Sequence, residues 1–171
     1  QHLIGDIKKL LDELRIEKSL LFGGSWGSTL SLLFSIYHPE MVLGMVLRGI
    51  LLSEHKDYKD YLKGDISYTR FPEIAERFLS HVPEDERKNP TEYYIEKMSC
   101  GNRETERKYA YEWAYYEESR MTLLPKPEEE IEKEIKIESY ESLSILEAHY
   151  IINFCFLEDK FILKNAHLIP K

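Results

Sequence analysis

The stretch Ser19-Leu20-Leu21-Phe22-Gly23-Gly24-Ser25-Trp26-Gly27-Ser28-Thr29-Leu30 joins one apolar run to another through glycines. Residues 19–24 have the length and composition of a buried strand that meets a sharp turn. Residues 27–37 are apolar nearly all round and close at His38-Pro39, where the proline pushes the preceding residue out of helical geometry; they predict a buried helix. Between the two, Gly23-Gly24-Ser25-Trp26-Gly27 matches G-x-S-x-G in its required strand–turn–helix setting. Such a turn lifts the serine hydroxyl clear of the backbone at the cost of strain. The residues two before and two after the serine crowd together, which calls for small side chains at Gly23 and Gly27. The helix dipole favours an oxyanion at this end, and the backbone N–H of Trp26 is the expected donor to it. Ser25 is thus the candidate nucleophile; a glycine-rich turn without chemistry is the plainer alternative.

Working outward, residues 2–15 read as an amphipathic helix, with Leu3, Ile7, Leu10 and Leu14 in steps of three and four and Ile4 and Leu11 beside them. Residues 41–52 are apolar again and predict a second strand. Helix, strand, helix and strand with continuous apolar strands imply a parallel sheet covered on both faces. From Ser53 to about residue 155 the pattern is helical. Helices are expected over 72–82, from Asn89-Pro90 to Gly101, over the aromatic-rich segment 103–124 up to Pro125, and over 139–157 with Leu143, Leu146, Tyr150 and Phe154 on one side. The mixed-charge run 126–138 reads as a solvated helix or loop. Two parallel strands do not make a stable sheet. The expected organisation is therefore part of a larger α/β protein: sheet core over 1–52, helical insertion over 53–157, and a return toward the core over 158–171.

The 171 residues carry 31 Asp plus Glu against 23 Lys plus Arg, a net charge of −8, and 43% are hydrophobic. That suits one domain, or a domain with a lobe, and excludes disorder for most of the chain. Net acidity without a basic patch argues against nucleic acid as a partner. Cys100 and Cys155 read as reduced thiols, the pattern of a cytoplasmic protein, and their spacing gives no metal site. No apolar run reaches the roughly 18 residues of a membrane span.

A nucleophilic serine needs a base and an acid, which in this arrangement follow it as Asp or Glu and then His. Of the histidines after Ser25, His38 before its proline reads as a surface cap, His55 and His81 lie among charged residues of the insertion, His149 lies on the last helix beside Glu147, and His167 has no strand and loop to place it, so none is singled out as the base. Glu54 is a conceivable acid, with a surface carboxylate as the simpler reading.

The stretches Phe22–Leu30, His38-Pro39-Glu40, Val46–Ile50, Phe71-Pro72, Trp113–Glu117 and Glu147–Tyr150 closely resemble, in order and near-matching spacing, the proline iminopeptidases of the α/β-hydrolase superfamily. The resemblance covers nearly the whole chain. It implies a partial α/β-hydrolase core with the nucleophile elbow and an inserted all-helical cap; residues 19–24 would be the fifth strand and 41–50 the sixth. It implies a serine-type exopeptidase that releases N-terminal proline from a peptide through an acyl-enzyme and needs no cofactor. Glu117 and Glu147 match the cap glutamates that would pair with the substrate's amine, Arg48 matches an arginine near the active site, and Tyr61 and Tyr116 are candidates for a proline pocket wall. Leu51 stands where an aromatic is usual, the run 126–138 departs from the usual cap, and a His-Gly-Gly oxyanion loop and the triad Asp and His are absent. The chain by itself is thus expected to be inactive. A different capped hydrolase, such as an esterase or broad aminopeptidase, and a non-catalytic binding module are the other readings.

Overall fold

The computed structural model describes residues 2–58, 69–137 and 139–170, which fall into two units, 1–55 with 157–171 and 56–156. In the first unit, β1 (Ser19–Gly24) and β2 (Val42–Arg48) pair in parallel, with Leu21 opposite Met45 and Gly23 opposite Leu47. Helix α1 (His2–Glu13) and helix α2 (Trp26–Tyr37) flank them in sequence. Alternation of side chains along a strand puts Leu21, Met45 and Leu47 on one face. That face packs against Leu32, Leu33, Phe34 and Ile36 of α2 and Ile4 of α1, joined by Ile162 of α8 (Phe161–Asn165).

Three expectations shift here. The buried stripe of α1 is Ile4, Ile7 and Leu11, whereas Leu3, Leu10 and Leu14 are exposed. Strand β2 ends at Arg48 rather than running to residue 52, because Gly49 takes a left-handed φ of 53°. The sheet is also not covered on both faces by the described residues: Leu20 is 74% exposed, Phe22 83% and Val46 59%.

The second unit is helical: α3 (Pro72–Ser80), α4 (Pro90–Met98), α5 (Arg103–Glu118), α6 (Glu128–Ile137) and α7 (Tyr140–Ile152). Proline opens α3 and α4, where a missing N–H costs nothing. The Asn102 side chain caps α5 by accepting from the Thr105 N–H at 3.0 Å. Helix α5 stops at Glu118, short of the expected residue 124. Its end tightens through Arg120 N–H to Glu117 O and Met121 N–H to Glu118 O, and the Ser119 hydroxyl bonds back to Tyr115 O at 2.6 Å.

The core of this unit is aromatic. Phe78 stacks on Tyr94 and on Tyr116, each at 4.2 Å between centroids, and Trp113 meets it edge-on at 5.9 Å. The charged run forms α6 and buries Ile131 and Ile135, one helical turn apart. Helix α7 turns a different face inward from the one its large apolar residues suggest. Ser144, Ala148 and Ile151 are buried, whereas Leu143 and Leu146 are more than half exposed. The reason is close approach: the Ser144 hydroxyl donates to the Ala110 carbonyl on α5 at 2.8 Å, a contact that bulkier side chains would hold apart. Ala148→Leu is accordingly expected to destabilise the chain by about 1–3 kcal/mol through overpacking, and Leu146→Ala to change stability by no more than about 0.5 kcal/mol; urea unfolding of the two variants measures both.

Candidate active site

Strand β1 delivers the chain to Ser25, which takes φ 50° and ψ −121°, a conformation costing a non-glycine residue about 1–3 kcal/mol. Three sets of bonds hold it there. The Ser25 N–H donates to the Arg48 carbonyl at 3.0 Å, extending the sheet pairing by one residue. The Ser25 carbonyl accepts from the Ser28 hydroxyl at 2.6 Å and from the Ser28 N–H at 2.9 Å. Ser28 and Thr29, both fully buried, then tie the turn to the segment after β2: the Leu51 N–H donates to Ser28 Oγ at 2.9 Å, and Thr29 Oγ1 donates to the Leu51 carbonyl at 2.7 Å. The Ser25 side chain is exposed and makes no capping bond. Trp26 is the first residue of α2, where helix N–H groups point outward.

The small-residue requirement holds at one glycine of the pair. A Cβ on Gly23 would lie 2.3 Å from the Gly27 carbonyl oxygen and 2.6 Å from Ser31 Oγ, whereas a Cβ on Gly27 would meet nothing within 4 Å. The crowding is thus between the Gly23 α-carbon and the backbone of α2, and the side-chain position of Gly27 points into open space. Arg48 ends β2 opposite Gly24, its guanidinium beside that glycine: a Cβ there would sit 3.4 Å from Nη2.

The histidines have other places. His38 caps the end of α2, and its N–H donates to the Phe34 carbonyl. His55 Nε2 lies 2.8 Å from the Leu157 carbonyl, and its N–H donates to Asp159, whose carboxyl is held below the usual range by that bond. His81 lies 3.2 Å from Glu112, His149 is exposed beside Phe156, and His167 is exposed in a short turn. Glu54 is no surface carboxylate: it is 7% exposed.

In the helical unit, Glu117 on α5 and Glu147 on α7 line one cavity of about 20 Å³ together with Glu118. Glu117 pairs with Arg120, whose guanidinium lies 3.9 Å over the Tyr116 ring and whose Nε donates to the Tyr116 carbonyl. The Trp113 indole N–H donates to Glu147 at 2.9 Å. Burial, and next the neighbouring Glu117 charge, push the Glu147 carboxyl up to about 8. Tyr116 itself is buried in the aromatic core, 2% exposed; Tyr61 lies outside the described residues. The sequence reading passed over Ser28, Thr29, Trp113 and Arg120 as positioning residues. The hydroxyls had one signal, two polar residues in the first turn of an otherwise apolar helix; the other two had none. Among the described residues no group of acidic, histidine or cysteine side chains could hold a metal ion, and no helix is long and apolar enough to cross a membrane.

Comparison with known proteins bears on the fold. Residues 2–82 match the family model of the alpha/beta hydrolase fold. The chain is 34% identical over 168 residues to a probable proline iminopeptidase of Leptolyngbya boryana, covering 98% of this chain and 52% of the relative. It is 36% identical over 166 residues to the proline iminopeptidase of Neisseria gonorrhoeae, covering 95% and 51%, and 33% identical over 170 residues to that of Arabidopsis thaliana, covering 98% and 44%. The chain carries part of an α/β-hydrolase fold. In sequence it is similar to these proline iminopeptidases, and it spans about half the length of the curated relatives it matches.

Two outcomes follow from the geometry. Gly23→Ala is expected to cost about 1–3 kcal/mol or more in urea unfolding, while Gly27→Ala is expected to be neutral or stabilising by up to about 1 kcal/mol, since alanine favours the helix. Glu147, with its carboxyl raised from 4.5 to about 8, keeps in the folded state a proton that the unfolded chain releases. Wild-type stability should therefore fall relative to Glu147→Gln as pH rises from 4.5 toward 8, by up to roughly 1.4 kcal/mol per pH unit, and the difference should stop changing with pH below that window.

Proposed function

We propose that this chain supplies the nucleophile and the amine-recognition groups of a serine-type aminopeptidase that releases N-terminal proline from peptides. The observation that carries the reading is the Ser25 turn: an exposed hydroxyl held in a left-handed, strained conformation between a parallel strand and a helix N-terminus. Strain of this kind persists where surrounding bonds over-determine it, and here Arg48, Ser28, Thr29 and Leu51 do so. The three relatives named above are called proline iminopeptidases, one of them as probable, which supports the substrate class.

In this reading Ser25 Oγ attacks the carbonyl carbon of the first residue while its proton passes to a base. The Trp26 N–H holds the oxyanion of the tetrahedral adduct. Collapse breaks the C–N bond, the departing amine takes the proton, and an acyl-serine ester remains. Water then attacks the ester, frees proline and returns a proton to Ser25. Glu117 and Glu147 pair with the substrate's ammonium and fix register, so that only the first residue is cut. Arg48, beside the elbow, contacts the substrate. The base and its acid partner are not assigned among the described residues.

The test uses the protein expressed from its complete reading frame. Ser25→Ala should lower hydrolysis of a proline arylamide by roughly a thousandfold or more, and Glu117→Gln should act chiefly by raising KM. Full activity in Ser25→Ala would remove the nucleophile assignment. Preference for acyl esters lacking a free amine would replace the aminopeptidase reading with a general esterase.

A further inference from the structure

The segment after β2 carries a second strained serine. Gly49 takes φ 53° and Ser53 takes φ 56°, so the stretch 49–53 enters and leaves on left-handed residues. Glycine adopts that conformation freely, whereas a serine in it is strained. Ser53 is 1% exposed, and its hydroxyl lies 3.3 Å from Thr29 Oγ1 of α2.

A hydroxyl has one proton to donate. Thr29 donates its proton to the Leu51 carbonyl at 2.7 Å, so Ser53 is the donor across the contact with Thr29. Ser28 donates to the Ser25 carbonyl at 2.6 Å and accepts from the Leu51 N–H at 2.9 Å. The order of donation therefore has one direction: Ser53 to Thr29, Thr29 to the Leu51 carbonyl, the Leu51 N–H to Ser28, and Ser28 to the Ser25 carbonyl. Ser28 and Thr29 are fully buried. Bonds in such surroundings polarise one another, and a group that loses its partner there is left unsatisfied. The two hydroxyls of α2 thus grip both backbone groups of Leu51 as a neighbouring strand would, beyond the point where β1 and β2 stop pairing at Gly24 and Arg48. Gly49 runs alongside: a Cβ there would lie 3.9 Å from the Ser25 nitrogen. Two strained serines, far apart in sequence, are the two ends of one hydrogen-bond chain. Strain of this kind persists where its surroundings over-determine it, and it gathers at functional sites.

We propose that Ser53 is a positioning residue for the nucleophile: through Thr29, Leu51 and Ser28 its hydroxyl holds the Ser25 carbonyl, and with it the turn that aims Ser25 Oγ. The inference rests on the reading of Ser25 as nucleophile and on no part of amine recognition. Ser53 acts on the direction of the attacking hydroxyl and not on affinity for substrate. Its loss should therefore fall on kcat, because a slightly misaimed nucleophile slows attack and leaves binding in place.

The experiment uses the protein expressed from its complete reading frame. Three quantities are read for each variant: the rate at which a fluorophosphonate labels Ser25, kcat and KM on a proline arylamide, and the midpoint of urea unfolding. Labelling forms a bond from Ser25 Oγ to phosphorus and expels fluoride, while the hydroxyl proton passes to a base or to water. It reports the nucleophile without the amine site. Ser53→Gly removes the hydroxyl and relieves the strain, whereas Ser53→Ala removes the hydroxyl and keeps the strain. Both should lower the labelling rate and kcat about tenfold with KM changed less than about twofold, although the glycine variant should be the more stable of the two. Thr29→Val, similar in shape and without the hydroxyl, should lower both rates about ten- to a hundredfold, and Thr29→Ser should restore most of that loss. The double variant Ser53→Gly with Thr29→Val should be no slower than Thr29→Val alone, because both substitutions cut the same chain. Ser53→Gly that labels and turns over as fast as wild type overturns the role of the hydroxyl. Losses that multiply in the double variant overturn the route through Thr29. A wild type that is not labelled at Ser25 removes the nucleophile assignment and the role of Ser53 with it. The labelling rates decide the role of Ser53 even where the arylamide is left intact, an outcome that overturns only the substrate reading.

Discussion

The backbone at Ser25 is the constraint on which the first unit is built. A left-handed φ at a non-glycine residue is unfavourable, so everything around it serves to hold it. The sheet reaches it through the Arg48 carbonyl, the helix through the Ser28 hydroxyl, and the segment after β2 through the two bonds to Leu51. Gly23 is part of the same constraint, since only a residue without Cβ lets β1 run this close to the first turn of α2. Fold and site are here one object: the bonds that close the β1–α2 connection are those that present the hydroxyl.

The helical unit joins its core to the candidate residue Glu147 through Trp113. Its ring belongs to the cluster of Phe78, Tyr94 and Tyr116, and its N–H reaches Glu147. A buried indole needs a partner for that N–H. Meeting the need with a carboxylate rather than a carbonyl makes the stability of the core depend on the protonation of Glu147. The small residues of α7, Ser144 and Ala148, let α7 sit against α5 closely enough for that bond to form. Arg120 adds a second link, stacked on Tyr116 and paired with Glu117 at the end of the same helix.

The uncovered sheet face has a different standing. Leu20, Phe22 and Val46 have the character of interior residues and are exposed among those described. Apolar surface of this kind costs roughly 25 cal/mol per Å² when left in water. Strand character and parallel pairing came through nonetheless, because backbone bonding and the α2-facing side chains suffice to set the register from Leu20 to Gly24.

Strand β1, helix α2, the serine between them and the helical character of most of the remainder were legible in the sequence, because each depends on local rules: apolar runs of a given length, glycines at a turn, proline and asparagine at helix ends. The resemblance to proline iminopeptidases was legible in the same way, through contiguous stretches such as Phe22–Leu30 and Glu147–Tyr150. What the sequence misplaced depended on neighbours distant in the chain. The inward face of α7 was set by how near α5 could come, not by the largest apolar residues, and the buried stripe of α1 by the position of α2. The end of β2 is the local exception, set by the positive φ of Gly49 inside an otherwise apolar run. The residues that hold the site, Ser28 and Thr29 against Leu51 and Trp113 against Glu147, are 22 to 34 positions apart. Local sequence determined which elements form and which serine is exposed; only tertiary packing decided which polar groups meet, because a buried hydrogen bond or a buried charge is defined by what surrounds it and not by what precedes it in the chain.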